Sequence, residues 1–337
     1  MSNIKTFVER MPKAELHLHI EGTLEPAMLM DLAAKHQIEL PYKSLTDVLN
    51  AYDFEDLQSF LNLYYLGASV LLDEQDFYDL MWAYLLKCRE QNIVHAEMMF
   101  DPQTHTDRGV SFDTMMRGYL AAMQQARTDW GMSCELIMCF LRHLSQDSAF
   151  NTLREAEAWR DHIQSVGLDS GELGNPPEKF RDVFAAAHKQ GYLLVAHAGE
   201  EGPPAYIWSA LDELRVARID HGVRCLEDPA LVARLVREQM PLTVCPLSNV
   251  RLCVVDAMTD HPILKMLDAG LLVTVNADDP PYFGGYLNDN FAALVKHLNL
   301  NEHQARQLAK NSFTSSFLPA DKKRDLIAAV DAFEQIF

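Results

Sequence analysis

The feature that most constrains the fold of this chain is a repeated order of an apolar, strand-like run, a turn and a helical pattern. Eight runs have the length and composition of buried strands: residues 14–20, 93–100, 134–141, 165–170, 193–199, 218–222, 241–248 and 271–278. Amphipathic segments such as "DEQDFYDLMWAYLLKCREQ" and "DPALVARLVREQM" lie between them and begin with Asp, as helices often do. Eight alternating units predict an α/β fold, a (β/α)8 TIM barrel.

The repeat runs along the chain without a linker, and this predicts the domain organisation. No Gly/Ser-rich linker, low-complexity tract or charge block divides the 337 residues, so we expect one domain over residues 1–337. The first connection, residues 21–92, is long and helical in pattern throughout. It predicts additional helices after strand 1 that cover the mouth of the barrel, and helices after residue 300 are expected to close the far side at the C-terminus.

Charge and composition narrow the possible partners. The 29 Lys and Arg against 48 Asp and Glu give a formal net charge of −19, which repels a phosphate backbone, so no nucleic acid is expected as a partner. No apolar run is long enough to span a membrane, and the N-terminal segment does not resemble a signal peptide. The six cysteines form no C-x-x-C pair and lie mostly in apolar runs, as free thiols do. We therefore expect a cytoplasmic protein, and the oligomeric state stays open.

The ends of the eight apolar runs carry polar side chains. In a barrel of this kind the active site lies at the carboxyl ends of the strands, so chemistry is expected there. The strand ends carry these residues, in chain order: His17 and His19; Asp101; Arg142 and His143; Asp169 and Glu172; His197 and Glu200; Asp220 and His221; Ser248 and Asn249; Asp278 and Asp279. Asp, Asn and Ser are also ordinary turn residues, so the histidines are the more informative members of this set.

Four of these residues have the chemistry of a metal site. In "AELHLHIEG" His17 and His19 are two residues apart, which places both imidazoles on one face of a strand. Alone, the pair is equally compatible with two hydrogen-bonded core histidines. Strand 8 closes beside strand 1 in a barrel, so Asp278 is expected next to this pair, and His197 would supply a third imidazole. The set predicts one divalent metal ion per chain, zinc, with an open position for water.

Three further strand-end residues suit hydrolytic chemistry beside that metal. Glu200 follows the strand in "HAGE", where its carboxyl group could act as a general acid. His221 in "IDHG" could take the proton of the attacking water or hold that water by a hydrogen bond. Asp279 diverges from its neighbour Asp278 and is therefore free to bind substrate, although a plain turn would explain it equally well.

Two other zinc arrangements do not match the sequence. Deaminases with an H-x-E motif and P-C-x-x-C take their ligands from a cysteine pair, and "VCPLSN" has no second cysteine at that spacing. Binuclear barrel hydrolases bridge their metals with a modified lysine after strand 4, and "GLDSGELG" contains none. One metal ion is therefore the better expectation.

Five motifs in order along the chain resemble those of the adenosine/adenine deaminase branch of the amidohydrolase superfamily. They are "HLHIEG", "HAGEEGPP", "RIDHGVR", "CPLSNVRLC" and "VTVNADDPPYFGG", and the likeness runs from about residue 12 to residue 315. Within this family, "SNVRLC" and "DPQTHTDRG" look most like the bacterial and fungal adenine deaminases.

The resemblance implies a function and a role for each site residue. It implies hydrolytic removal of a 6-amino group, from adenine to hypoxanthine, in purine salvage, with a small-molecule purine as the substrate. His17, His19, His197 and Asp278 would be the zinc ligands, Glu200 the proton donor to ring N1, His221 the residue that orients water, and Asp279 a hydrogen-bond partner of the ring. Adenosine or another aminopurine remains the alternative substrate, and a barrel that binds zinc or a purine without catalysis is a third possibility.

Departures from the adenosine deaminase pattern bear on this choice of substrate. Those enzymes typically read H-x-H-L-D-G, whereas this chain has Glu21, whose longer side chain could crowd a sugar site. After strand 4 they show D-L-x-G-D-E, whose glycine approaches purine N3. Aligned without a gap, that glycine position is Glu172, which would accept the ring N–H of free adenine; a one-residue shift leaves Gly171 there. The other expectation for Glu172 is a solvated turn residue.

Overall fold

The computed structural model describes residues 2–334, and its central feature is one sheet of eight parallel strands in sequential order. The strands are β1 (Lys13–Glu15), β2 (Ile93–Phe100), β3 (Ser133–Leu141), β4 (Ser165–Asp169), β5 (Leu193–Ala198), β6 (Arg218–His221), β7 (Pro241–Val244) and β8 (Leu272–Val275). Each strand pairs in parallel with the next. The predicted (β/α)8 barrel is confirmed.

The barrel closes between its last and first strands just beyond the end of each. The backbone N–H of His19 donates to the carbonyl of Asp278 over 3.1 Å, and the N–H of Asp278 donates to the carbonyl of His17 over 3.0 Å. Side chains complete the seam, because the N–H of Leu16 donates to Asn276 Oδ1. The closure therefore lies at the residues that the sequence assigns to the metal site.

Helices surround the barrel and fill the long first connection. Within residues 2–334 they are α1 (Ser2–Arg10), α2 (Pro26–His36), α3 (Leu45–Asn50), α4 (Leu57–Ala68), α5 (Glu74–Glu90), α6 (Pro102–Thr106), α7 (Phe112–Trp130), α8 (Gln146–Glu155), α9 (Arg181–Lys189), α10 (Pro204–Ser209), α11 (Pro229–Glu238), α12 (Pro246–Arg251), α13 (Ile263–Asp268), α14 (Pro280–Phe283), α15 (Leu287–Leu298), α16 (Glu302–Ser315) and α17 (Ala320–Ala332). Helices α2 to α5 form the predicted insertion after strand 1.

The two helical segments singled out by their opening Asp begin as expected. The side chain of Asp73 accepts the N–H of Asp76 at the start of α5, in a capping box. Asp228 accepts the N–H groups of Ala230 and Leu231 at the start of α11. Each carboxylate thus satisfies backbone donors that have no partner inside the helix.

The far end of the barrel is closed by the C-terminal segment. The N–H of Ala14 in β1 donates to Ser312 of α16, and Asn311 of the same helix donates to the carbonyl of Val273 in β8. Phe317, just after α16, packs on a small apolar cluster inside the barrel, formed by Met99, Ile137, Cys139 and Val195. The expectation that helices after residue 300 close this side is confirmed.

Two further expectations concern cysteines and membrane spans. All six cysteines are free; Cys253 is exposed and the others are buried. Between residues 2 and 334, none of the helices combines the length and apolar character needed to cross a bilayer.

Candidate active site

The four side chains that the sequence predicts as metal ligands converge at the carboxyl ends of the strands. Nε2 of His197 lies 3.1 Å from Nε2 of His17 and 3.3 Å from Nε2 of His19. Oδ1 of Asp278 lies 3.3 Å from Nε2 of His17 and 3.5 Å from Nε2 of His19. Ligand atoms bound tetrahedrally to one zinc ion are about 3.3 Å apart. The spacing of these four donor atoms therefore fits a single divalent cation.

The opposite ring nitrogen, Nδ1, of each histidine faces an oxygen. Nδ1 of His17 lies 2.9 Å from Oγ1 of Thr243. Nδ1 of His19 lies 3.4 Å from Oδ2 of Asp169, and Nδ1 of His197 lies 3.7 Å from Oδ2 of Asp220. The hydrogen bond to Thr243 fixes the ring of His17, and the two carboxylates face the other rings at a longer distance, so Nε2 of each histidine points to the cluster, where it can bind a metal.

Two residues at the strand ends have a strained backbone. Asp278 and His221 each have φ of 64°, in the left-handed region that non-glycine residues rarely adopt. Such conformations cost about 1–3 kcal/mol each and persist where the surrounding structure holds them, which is often at functional sites. The strain turns both side chains into the pocket at the end of the barrel.

Glu200, His221 and Asp279 stand beside this cluster. Nε2 of His221 lies 3.6 Å from Oε2 of Glu200 and 3.9 Å from Oδ2 of Asp278. Oε1 of Glu200 and Oδ1 of Asp279 are buried and have no hydrogen-bond partner in the structure. Buried acceptors without a partner are costly, so both oxygens are available to a ligand.

The surroundings set the protonation of these groups. Burial, together with the carboxylates of Asp278 and Glu172, raises the pKa of Glu200 well above its usual range, which favours the protonated acid. Burial and the nearby imidazole of His17 lower the pKa of His221 to about 3. Burial and the neighbouring imidazoles likewise hold the pKa of His197 well below its usual range, which favours the neutral form that binds metals.

One pocket collects these groups under a wall of apolar side chains. Helix α4 supplies Leu57, Phe60, Leu61 and Tyr64, so the inserted helices cover the mouth of the barrel as predicted. The remaining lining residues are His19, Tyr65, Asp101, Asp169, Ser170, His197, Glu200, His221, Leu252, Asp278 and Asp279. An enclosed pocket with an apolar wall and a few convergent polar groups is typical of a site for a small planar ligand.

Comparison with known proteins shows the family to which this chain belongs. The sequence model of the adenosine deaminase family matches residues 12–333. An adenine deaminase of Hahella chejuensis is 57% identical over 332 residues, covering 98% of this chain and 99% of that protein. An adenine deaminase of Wolinella succinogenes is 54% identical, covering 98% of this chain and 100% of that protein. The chain belongs to the adenosine deaminase family.

Solved structures of similar proteins agree with that membership. The crystal structure of an adenine deaminase from Arthrobacter aurescens has a TM-score of 0.94 and 51% identity, covering 95% of this chain and 98% of that chain. An amidohydrolase from Burkholderia ambifaria, solved with bound zinc, has a TM-score of 0.89 at 24% identity, covering 98% of this chain and 92% of that chain, which shows the shared fold.

The expectation that Glu172 faces a purine edge is wrong. Its carboxylate is fully buried and accepts four backbone N–H groups, from Gly199 (2.7 Å), Glu200 (3.1 Å), Glu201 (2.9 Å) and Gly202 (2.7 Å). A solvated turn residue is excluded by the same burial. Both oxygens are occupied by the loop that follows β5, so Glu172 fixes the position of this loop and of Glu200 on it.

Glu21 and Gly171 also lie outside the pocket. Glu21 is buried behind it, where Oε1 accepts hydrogen bonds from His105 Nε2 (2.9 Å), the hydroxyl of Tyr119 (3.2 Å) and the N–H of Asp101 (3.2 Å). Its predicted place at a sugar site is therefore wrong. Gly171 lines a neighbouring cavity rather than the pocket, so it does not stand at the purine edge either.

Two acids line the pocket although no role is predicted for them from the sequence. Asp101 and Asp169 stand at the ends of β2 and β4, where both were recognised only as strand-end residues. The rule that chemistry gathers at the carboxyl ends of the strands was the signal that could have identified them. Tyr64, which donates to Oδ2 of Asp101 over 2.8 Å, lies in an inserted helix with no motif to mark it.

Proposed function

We propose that this chain catalyses the hydrolytic deamination of adenine to hypoxanthine and ammonia, with one zinc ion bound by His17, His19, His197 and Asp278. The observation that carries the proposal is the convergence of these four donors with two unpartnered carboxyl groups, on Glu200 and Asp279, in one buried pocket. The names of relatives at 54–57% identity over nearly the full chain favour adenine as the substrate.

Each step of the reaction has a residue of the protein that carries it out. Bound zinc would supply a nucleophilic water at neutral pH. His221 holds that water against C6 of the ring through its Nε2 atom. Glu200 donates the proton of its carboxyl group to N1 as the C6–O bond forms. Asp279 binds the ring through its free oxygen. His221 takes the proton that the water loses as the C6–O bond forms and passes it to the amino group, so that the C6–N bond breaks and ammonia leaves. The proton of the new C6 hydroxyl returns to Glu200, and adenine and water give hypoxanthine and ammonia.

The geometry of the pocket supports these roles. Oε2 of Glu200 and Nε2 of His221 lie 3.6 Å apart, so both side chains can reach one reacting centre. The raised pKa of Glu200, caused by burial and by Asp278 and Glu172, keeps a proton on the group that must donate one. Apolar side chains of α4 exclude bulk water, which strengthens each polar contact inside.

Adenosine is the second candidate substrate, because its sugar could lie in a cavity next to the pocket. This cavity shares Leu57, Leu61, Tyr65 and Ser170 with the pocket. The hydroxyls of Tyr65 and Ser170 lie 2.8 Å apart, at the boundary between the two spaces. A sugar would need that boundary to open. A free base needs no such change, which is why we favour adenine.

An ultraviolet deamination assay with adenine and adenosine in parallel tests this function, with elemental analysis of the same sample. We expect about one metal ion per chain and a kcat/KM for adenine at least about a hundredfold above that for adenosine. Comparable values for the two substrates would overturn the assignment of adenine. Active enzyme without metal would overturn the metal site. Purine salvage in the cytoplasm is the cellular role that we propose on the same basis.

A further inference from the structure

Arg142, which follows β3, is a strand-end residue that the sequence leaves without a role, and in the structure it is fully buried. Its Nε atom donates to the backbone carbonyl of Asn175 over 2.8 Å, and its Nη1 atom donates to the backbone carbonyl of His197 over 2.7 Å. Asn175 belongs to the loop after β4, whereas His197 lies in β5 and is one of the four donors of the metal cluster. One guanidinium therefore joins the carboxyl ends of three neighbouring strands.

The guanidinium of Arg142 is a costly group to bury, because it loses its contacts with water. Its Nη2 atom is buried and has no hydrogen-bond partner among residues 2–334, and its Cζ atom lies 6.0 Å from the centroid of the Tyr206 ring. Burial lowers the pKa of Arg142, and the negative charge of Glu172 is the strongest of the influences that oppose this. An arginine side chain stays charged at neutral pH and presents its donors as one rigid, planar fork. Arg142 therefore holds its two carbonyl groups in a fixed relation to each other.

Glu172 holds the same part of the chain through the opposite kind of backbone atom. Its carboxylate accepts the N–H groups of residues 199–202, whereas Arg142 donates to the carbonyl of His197. A guanidinium binds only acceptors and an ionised carboxylate binds only donors, so neither side chain can replace the other. The segment 197–202 is therefore fixed at its carbonyl side by a buried cation and at its N–H side by a buried anion.

We propose that Arg142 is a positioning residue that acts with Glu172 to hold the proton donor Glu200 at a fixed separation from the metal cluster. The inference rests on the proposed function, because it assigns Arg142 to the same reaction. In that reaction Glu200 has to meet N1 of the ring while the metal cluster faces the adjacent atom, C6. The segment 197–202 carries both groups, since His197 lies at its start and Glu200 in its middle.

The backbone between these two groups needs contacts from outside the turn to keep one conformation. Gly199 stands between His197 and Glu200 with φ of 72°, in the left-handed region, and glycine has the largest conformational freedom of all residues. A displacement of about 1 Å at a reacting group can lower a rate by about a hundredfold. Loss of the Arg142 fork should therefore slow the reaction rather than weaken the binding of the ring.

The test compares Arg142→Lys and Arg142→Gln with the wild-type enzyme. The lysine variant keeps the charge but lacks the planar fork, and the glutamine variant lacks the charge. In both variants we expect kcat for adenine to fall by about tenfold or more, while KM, the inhibition constant of hypoxanthine and the metal content change by less than about twofold. Amide hydrogen exchange should become faster at residues 198–202 and stay as in the wild type in the remaining strands.

A double variant tests whether Arg142 and Glu172 act on the same segment. Arg142→Lys combined with Glu172→Gln should lose less activity than the product of the two single losses in kcat, because the second change displaces a segment that the first has already released. Losses that multiply would show that the two side chains act independently, which would contradict their joint role.

Arg160→Lys is the matched control for the loss of the fork. Arg160 also donates through Nε and Nη1 to two backbone carbonyls, those of Gln190 and Ile163, and its guanidinium lies over the ring of Tyr192. It is not among the residues that line the pocket, and it does not contact the segment 197–202. Arg160→Lys should leave kcat and the exchange of residues 198–202 unchanged.

The decision rests on Arg142→Lys, which keeps the charge even if Arg142→Gln does not fold. Wild-type kcat and wild-type exchange in this variant would overturn the inference. Faster exchange throughout the barrel, loss of metal, or failure of the variant to fold would show a general structural role and would also contradict it. Wild-type enzyme that does not deaminate adenine would instead contradict the proposed function, and the exchange measurement would still report whether Arg142 holds the segment.

Discussion

Glu200 exposes one free oxygen, Oε1, to the pocket and holds a raised pKa through burial and neighbouring carboxylates. Glu200→Gln keeps the shape of the side chain but removes the transferable proton. We expect the variant to retain its metal and fold while kcat falls by about 10²–10⁴-fold. Glu201→Gln makes the same change one residue further along and should leave kcat nearly unchanged. Steady-state kinetics with metal analysis checks both, and near-normal turnover of Glu200→Gln would assign the proton to another group.

The pH dependence of the activity follows from the raised pKa of Glu200. The acid must be protonated to donate, so activity is present below the pKa of Glu200 and is lost as the pH rises through that raised pKa. We therefore predict that kcat/KM declines on the alkaline side of its profile and that this decline disappears in Glu200→Gln. A profile of Glu200→Gln with an unchanged alkaline limb would show that a different group titrates there.

Glu172 fixes the Glu200 loop through four backbone N–H groups, a number that a neutral amide cannot accept. In Glu172→Gln the Nε2 atom would face these donors instead of an acceptor. We predict a fall in kcat of about tenfold or more with little change in KM, because the proton donor rather than the ring-binding groups is displaced. Metal content should stay at about one ion per chain. A variant whose KM alone changes would contradict this positioning role.

Gly22 lies against Asp279 so closely that a Cβ atom built there would overlap its carboxyl group. The backbone of Gly22 is not in the left-handed region, so the cost of a side chain is steric. We expect Gly22→Ala to displace Asp279 and to raise KM for adenine strongly while the metal is retained. Gly171→Ala is the control, because the backbone of Gly171 is not left-handed either and a Cβ atom there would meet no atom closer than 3.8 Å; it should leave KM unchanged.

The sequence was sufficient for residues whose position depends on strand order. Barrel closure brings Asp278 beside His17 whatever the details of the loops, so the metal cluster could be predicted. Glu172 and Glu21 could not be placed, because the direction of a loop side chain depends on partners distant in sequence. The four N–H donors of Glu172 and the His105 and Tyr119 partners of Glu21 leave no local pattern.

Among the secondary-structure elements, strand existence was predicted better than strand length. The run 14–20 contains only two residues of β1, Ala14 and Glu15. Beyond Glu15 the backbone of this run bonds to the side chain of Asn276 and to the backbone of Asp278. The strand predicted over residues 241–248 ends at Val244, because α12 begins at Pro246. Apolar composition continues across such boundaries, so hydrophobic periodicity alone does not detect them.

Helix α4 is the element whose packing shapes the pocket. Phe60 packs between two aromatic rings, with its centroid 4.7 Å from that of Phe283, which is tilted against it, and 5.5 Å from that of Phe54, which meets it edge to face. We predict that Phe60→Ala lowers the free energy of unfolding by about 3–5 kcal/mol and raises KM, because the wall of the pocket loses its support. Leu49→Ala in the exposed α3 is the control and should change neither quantity appreciably. Urea unfolding and steady-state kinetics measure both effects.

Across the whole molecule, buried charges also stabilise the barrel far from the pocket. Burial alone would raise the pKa of Glu97, but the facing Arg218 and His95 outweigh it and lower the pKa from 4.5 to about 2. The ionised carboxylate therefore adds stability above about pH 4.5, and this contribution is lost as the pH falls toward 2. We predict that Glu97→Gln is less stable than wild type at pH 7, and that the difference narrows below pH 4 in urea unfolding.

The metal cluster lies where the first and last strands of the barrel meet through an isolated bridge, between Leu18 and Asp278. His17 and His19 follow β1, Asp278 follows β8, and His197 lies in β5, so one ion would bind across the seam where the barrel closes. An ion that binds only the folded chain stabilises it by about 4 kcal/mol when its free concentration is 1,000 times its dissociation constant.

Removal of the metal should therefore lower the melting temperature, as well as abolish activity. We predict that chelated wild-type enzyme melts below the metal-loaded enzyme, and that added zinc restores both the melting temperature and the deamination of adenine. His19→Ala should lack activity and show no zinc-dependent shift, because the cluster has lost one donor. Equal melting temperatures for chelated and loaded wild type, with metal content verified, would mean that the cluster does not support the seam and that the backbone bonds between the His17–His19 segment and Asp278 suffice.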